Sequence, residues 1–367
     1  VNTKQVWRLR GLSLYPEKWD RVLSVDLIRA VAIVLVLLLH ASTESYAQVE
    51  LMSPQGVEIW WASNIYDSIA RVCIPLFVML AGALLLQPCK ADEPLHKFYR
   101  KRWDRLGLPV IFWSIIYFAW AALVDGETLT LQSVVQGVLT GPYYQFWFLY
   151  LLIGLYLLTP ILRVALKYAS RHILKYTLVV WFMGTAIMPL LTLLGSYYLN
   201  ANVFVFTGWL GYYILGAYLT KVEIKRQLLY AGLIGGLLWT IAGSYLVVAT
   251  LGERFSQFFY DGFSVNIIVA SASLFLLLLQ VSPQRLQTKY PKGNHILSVM
   301  SANTLPIFFF HVIVLESLRQ GFLGFTLNIT SINPFFAIPL STALTLLICL
   351  AVIVPLKRIP YVKRLIG

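Results

Sequence analysis

Inside one apolar stretch, Arg21–Ser45 (RVLSVDLIRAVAIVLVLLLHASTES), lie Asp26, Arg29 and His40, between Arg21 and Glu44 near its ends. The stretch is long enough to cross a bilayer as a helix, and a charge at the centre of such a helix costs at least ~2.5–3.5 kcal/mol. Ionisable residues there as a rule face a polar interior and serve a function. Asp26 and Arg29 are three apart and so are neighbours on a helix surface. Arg29 and His40 are eleven apart, which brings them to about 20° from eclipsed and about 16 Å apart along the axis. One stripe of one helix thus carries an acid, a permanent cation and an imidazole. Imidazole is the side chain best suited to general-base work near neutral pH. The reaction that suits it here is removal of a proton from a hydroxyl that attacks an activated acyl group.

Two further residues belong at the depth of His40. A span beginning at Tyr66 and running inward puts Arg71 about 8 Å below its outer end, and a span running outward from Leu297 puts His311 about 21 Å from its inner end. His40, Arg71 and His311 then reach the same half of the bilayer from three helices. Each has a plainer alternative. His311 suits a hydrogen-bonded packing role, Arg71 suits snorkelling to headgroups, and Asp26–Arg29 suits an orienting ion pair. Glu44 and Glu316 read as solvated acids at loop edges. His96, His172 and His295 read as surface residues.

These residues need a membrane bundle to position them. The 367 residues are 59% hydrophobic and 12% charged, about half the charge of a soluble domain. Apolar spans fit at 23–45, 66–87, 106–124, 143–162, 176–195, 203–220, 228–250, 262–281, 297–317 and 335–356. The expected fold is an all-α polytopic bundle of about ten transmembrane helices. Residues 1–20 form a cytoplasmic N-terminal segment ahead of a transmembrane domain at 21–367, and the first helix is expected to stay uncleaved. Of the 29 basic residues, all but Arg29, Arg71, Arg254 and Arg319 fall in alternate loops on one face, so both termini are expected in the cytoplasm. The same distribution explains the net charge of +13 without nucleic acid. The cationic loop YRKRWDR (Tyr99–Arg105) suits anionic lipids. The expected outer loops, near 46–65, 125–142 and 318–334, are short. Cys73, Cys89 and Cys349 have no ligand or disulfide spacing.

No phosphate loop, HExxH, GxSxG or GxGxxG is present, and two histidines without a carboxylate cluster predict no metal site. Buried Asp, Arg and His also mark substrate pathways in transporters and flippases, which leaves a transporter as the rival reading. Transporters often carry internal repeats, and none is visible.

The motifs together resemble the acyltransferase-3 family of integral membrane enzymes. Asp26 and Arg29 match its aspartate-x-x-arginine, and Arg29 with His40 its arginine-x10-histidine. ARVCIPLFVMLAGALLL (Ala70–Leu86) resembles its second helix, and FYRKRWDRLGLPVIFWSIIY (Phe98–Tyr117) its basic loop and third helix. WFLYLLIGLYLLTPIL (Trp147–Leu162), GYYILGAYL (Gly211–Leu219) and SANTLPIFFFHVIVL (Ser301–Leu315) resemble later blocks. Ala81 and Phe308 stand where the family usually has serine and tyrosine. The resemblance implies an O-acyltransferase of the bacterial inner membrane, of the branch that acetylates surface polysaccharides. The donor would be acetyl-CoA and the acceptor a glycan or lipid-linked glycan. It implies His40 as general base, Arg71 and His311 as groups that position the acyl carbonyl or stabilise its oxyanion, and Arg29, oriented by Asp26, as the donor-phosphate contact.

Overall fold

A computed structural model describes residues 18–43, 54–195, 208–252, 256–281 and 290–367. Glu44, Arg254, Arg285, Lys289 and the basic residues before Lys18 lie outside these. Among the described residues every regular element is helical. In order these are α1 (Lys18–Ser42), α2 (Pro54–Ala70), α3 (Cys73–Leu85), α4 (Leu95–Arg102), α5 (Leu108–Leu123), α6 (Leu131–Thr140), α7 (Trp147–Tyr168) and α8 (Arg171–Phe182). There follow α9 (Met188–Gly195), α10 (Trp209–Leu219), α11 (Arg226–Leu251), α12 (Val265–Leu279), α13 (Pro291–Ala302), α14 (Thr304–Gln320), α15 (Pro334–Leu356) and α16 (Pro360–Ile366).

Eight helices among the described residues are long and apolar enough to cross a bilayer, or nine if the bent pair α13–α14 is one span. The expected span at 203–220 is described only from Gly208 onward, as the 11-residue α10. The chain is an all-α polytopic membrane protein. Leu123, Leu131, Ile161, Leu194 and Phe336 project from it exposed, as suits side chains that face lipid.

α1 is the hub, packed against α2, α3, α12, α13, α14 and α15. Its core face, Ile28, Ala32, Ile33, Val36 and Leu37, is buried at the 3–4 residue spacing of one helical stripe. Across the bundle α3 and α10 cross backbone to backbone. A Cβ on Gly82 would sit 1.8 Å from the Tyr213 carbonyl oxygen, and one on Gly216 1.9 Å from that of Met79. Small residues allow this close approach in membrane bundles.

Two prolines set the breaks that matter. Pro75 has no N–H to give the Arg71 carbonyl, and its ring crowds that carbonyl; the helix accordingly interrupts at Arg71–Val72 between α2 and α3. Pro306 does the same to Ala302, and the chain turns by 78° between α13 and α14. The Ala302 carbonyl there accepts from Lys357 Nζ at 3.1 Å.

The expected loops need correction. Residues 54–65 belong to α2, 131–140 to α6, and 318–320 complete α14. Arg71 therefore does not sit one turn below a helix start at Tyr66; it stands at the interruption, seventeen residues after Pro54. Residues 54–65 misread as loop because Gln55, Glu58, Ser63 and Asn64 depress their hydropathy. Ser63 and Asn64 are nonetheless fully buried, as are Asp67 and Ser68 one turn on.

At the basic end a clamp holds the loop before α4. Arg163, 2% exposed, donates to the Leu85 carbonyl at 2.7 Å and to Glu93 at 2.8 Å. Lys101 donates to the other Glu93 oxygen at 2.5 Å, and the guanidinia of Arg102 and Arg163 lie over the Phe98 ring at 4.2 and 4.8 Å. The Lys101 bond, then the Arg163 bond, lowers the Glu93 carboxyl from 4.5 to about 2. A depressed carboxylate stabilises the fold fully above its unfolded value and loses that contribution as pH falls through its folded one. Between pH 4.5 and 2 the melting temperature of the wild type should fall further than that of Glu93→Gln. Equal falls would show that the clamp adds nothing to stability.

Candidate active site

His40 lies in the last turn of α1, where the final four carbonyls have no intrahelical donor. Arg319 of α14 supplies one, donating Nη2 to the His40 carbonyl at 2.7 Å, and its charge suits a helix C-terminus. Glu316 pairs with Arg319 at 2.8 Å. That corrects the expectation for Glu316, which is ion-paired rather than a free acid at a loop edge. The Arg319 bond goes to the His40 carbonyl and does not engage its imidazole.

That imidazole sits between two rings. Its centroid is 5.2 Å from His311 and 5.2 Å from Tyr144, the latter in the short turn that leads into α7. His311 is fully buried. Its Nδ1 lies 2.7 Å from the Phe308 carbonyl and 3.2 Å from that of Ile307. Two acceptors at Nδ1 require the proton to be there, so neutral His311 presents a lone pair at Nε2. Nε2 has no partner among the described residues. Neutral His311 can therefore accept a proton or hydrogen bond but cannot donate one to an oxyanion, which narrows the role expected of it.

Arg71, at the proline break, forms a two-point ion pair with the fully buried Asp67, through Nε at 2.8 Å and Nη2 at 2.7 Å. Its guanidinium lies 5.0 Å from the Tyr260 ring centroid. Tyr260 donates to Asn64 Oδ1 at 2.6 Å, and Asn64 Nδ2 donates to the Ile241 carbonyl at 3.1 Å. This network ties α2 to α11 and to the turn ahead of α12. His311, Arg319 and Arg71 all lie within electrostatic reach of the His40 ring. The structure thus brings three of the expected residues, His40, His311 and Arg71, to one end of the bundle.

The other two lie at the basic end and do not pair with each other. Asp26 Oδ1 accepts from Ser301 Oγ at 2.5 Å, and no hydrogen bond or ion pair joins it to Arg29 among the described residues. The expected orienting pair is replaced by a tie from α1 to α13. It follows from the break at Asn303, which lays the last turn of α13 against α1 while α14 carries His311 to His40. Arg29 is partly buried, within reach of Arg105, Asp26 and Tyr156. Tyr156 in turn lies within reach of Arg105, Arg102 and Arg29. Three guanidinia thus gather around one tyrosine, with Asp26 within reach of Arg29 and Glu93 within reach of Arg102.

A bundle with paired imidazoles at one end and clustered guanidinia at the other can take a proton at the first and hold an anion at the second. Comparison with known proteins decides which chemistry this is. The family described as "Acyltransferase domain" (acyltransferase-3) matches residues 22–354, from the first turns of α1 to the end of α15. The chain belongs to the acyltransferase-3 family. No curated protein and no solved structure matches it.

This acyltransferase is a multi-pass membrane protein, and its candidate site includes residues the sequence did not single out. Asp67 stands four before Arg71, a spacing that could have found it. Arg319 stood out only as one of few cations away from the basic face. Tyr144 and Tyr156 are two of 21 tyrosines and gave no signal. Gln145 gave none either. It is 1% exposed, and neither its amide nitrogen nor its oxygen has a partner among the described residues. Each such orphaned atom costs ~1–3 kcal/mol. His96, His172 and His295 are exposed, as expected.

Proposed function

We propose that this acyltransferase takes an acetyl group from acetyl-CoA at its basic end and passes it to a hydroxyl of a bacterial surface glycan or lipid-linked glycan at its histidine end. It would do so in the inner membrane with both termini in the cytoplasm. The observation that carries the reading is the two-ended α1. His40 touches His311 at 5.2 Å, and about 16 Å away along the same helix Arg29 joins Arg102 and Arg105 around Tyr156. Guanidinia are the side chains best matched to phosphate, and the CoA portion carries several. An extended pantetheine arm from phosphates held there would lead its thioester toward the imidazoles. The basic loops on one face support placing that end in the cytoplasm, where acetyl-CoA is made.

In this reading His40 takes the proton of the acceptor hydroxyl as its oxygen bonds to the thioester carbonyl carbon. The tetrahedral oxyanion then collapses, the carbon–sulfur bond breaks, and the imidazolium returns the proton to the departing thiolate. Arg71 lies within reach of His40 as a cation for the developing charge. The purified protein in detergent, with no gradient present, should move label from acetyl-CoA to a lipid-linked glycan. Surface glycans of cells lacking the gene should lack an acetyl group by mass spectrometry. Glycans with unchanged acetylation, together with no transfer in detergent, would refute the proposal and favour transport.

A further inference from the structure

The geometry points to Gln145 as the group that holds the acyl carbonyl, its side-chain amide donating to the oxygen that becomes the oxyanion. This rests on the acetyl-CoA reading above. The first observation is the amide itself, 1% exposed and with both polar atoms unpartnered among the described residues. Buried side-chain polar atoms in folded proteins nearly all have partners, so one with neither satisfied calls for a cause.

The second observation is its level. α7 runs from the histidine end toward the basic end, and α14 runs the opposite way. They meet where Phe148 packs on Phe308 at 5.5 Å between ring centroids. Gln145 is three residues before Phe148 and His311 three residues after Phe308. Gln145, in the short turn ahead of α7, and His311 in α14 each lie about one turn from that contact, toward the same end. The neighbours of Gln145 fix the turn on both sides: Tyr144 meets His40 at 5.2 Å and Phe146 meets Phe309 at 5.7 Å. The buried amide thus sits at the depth of the imidazole pair.

The third observation is what the pair lacks. With Nδ1 committed to the Phe308 carbonyl, neutral His311 has only a lone pair to offer, and Arg71 spends Nε and Nη2 on Asp67. A thioester carbonyl gaining negative charge needs an N–H donor fixed in a dry site, and Gln145 Nε2 can provide it. The step stays balanced: the acceptor oxygen bonds to carbon, its proton goes to His40, and charge builds on the carbonyl oxygen under the amide. When the carbon–sulfur bond breaks, the proton leaves with the thiol.

The test uses the full chain in detergent. Gln145→Met keeps length and removes both orphaned atoms. It should melt at or above the wild-type temperature, bind acetyl-CoA no more than about tenfold more weakly, and transfer acetyl about 10²–10³-fold more slowly at saturating donor. A readout independent of turnover is the carbonyl stretch of acetyl-CoA carrying a ¹³C carbonyl, bound without acceptor. It should lie lower than in solution in the wild type and in His40→Gln, and return to the solution position in Gln145→Met. Near wild-type turnover by Gln145→Met, or a stretch it leaves unshifted from the wild type, overturns the assignment. So does a variant that melts well below the wild type or fails to fold, because the amide is then a structural partner. A wild type that transfers nothing overturns the acetyl-CoA reading and this inference together. A wild type that transfers, with His40→Gln inactive and Gln145→Met unimpaired, removes this inference alone.

Discussion

His40→Gln protein is expected to fold, to bind acetyl-CoA and to transfer acetyl at least about 10²–10⁴-fold more slowly than the wild type, the usual worth of a general base. Glutamine keeps polarity and much of the bulk but cannot take a proton near neutral pH. The fold should survive because Arg319 holds the His40 carbonyl, not its ring, so the tie between α1 and α14 remains. His311→Ala should also lose activity, but less sharply if His40 alone meets the hydroxyl. The contact between the rings, 5.2 Å, allows a stricter comparison. Residues that act as one unit are strongly non-additive, so the double variant should be little worse than His40→Gln alone. If His40→Gln transfers acetyl at near the wild-type rate, His40 is a packing residue and the mechanism fails.

The central helix was legible because its chemistry is improbable. An acid, an arginine and a histidine in an otherwise apolar span are costly there, and eleven residues return to nearly the same face. The helical class was equally legible from hydropathy. The beginning of α2 was not, because averaged hydropathy does not report which way a side chain faces. Glu58, Ser63 and Asn64 lower that average, yet Ser63 and Asn64 are fully buried in the bundle, where Tyr260 and the Ile241 carbonyl satisfy Asn64. Asp26 illustrates a second limit. Three-residue spacing permits a pair with Arg29, but the fold offers Ser301 from a segment 275 residues away, and long-range partners are absent from local spacing. Gln145 is the extreme case. A glutamine in an aromatic run looks like an interfacial residue until the fold buries it with no partner among the described residues.

Arg29→Ala is expected to weaken acetyl-CoA binding while leaving the fold and the acceptor site intact. A charge-assisted hydrogen bond is worth ~1.5–3 kcal/mol, which corresponds to roughly 10–150-fold in affinity. The structure makes the experiment clean. Arg29 has no hydrogen bond or ion pair within the protein among the described residues, so its removal strands no carboxylate, and Asp26 keeps Ser301. Arg105 lies within reach of Arg29, as does Asp26, and two neighbouring guanidinia make a place that favours a bound anion. Arg29→Lys should restore binding only in part, because an ammonium lacks the planar fork that grips two oxygens at once. Titration of labelled acetyl-CoA against folded wild-type, Arg29→Ala and Arg29→Lys protein should rank them in the order wild type, lysine, alanine. Equal affinities would assign Arg29 to lipid headgroups or to topology and leave the donor phosphates to other residues, with Arg102 and Arg105 the next to test.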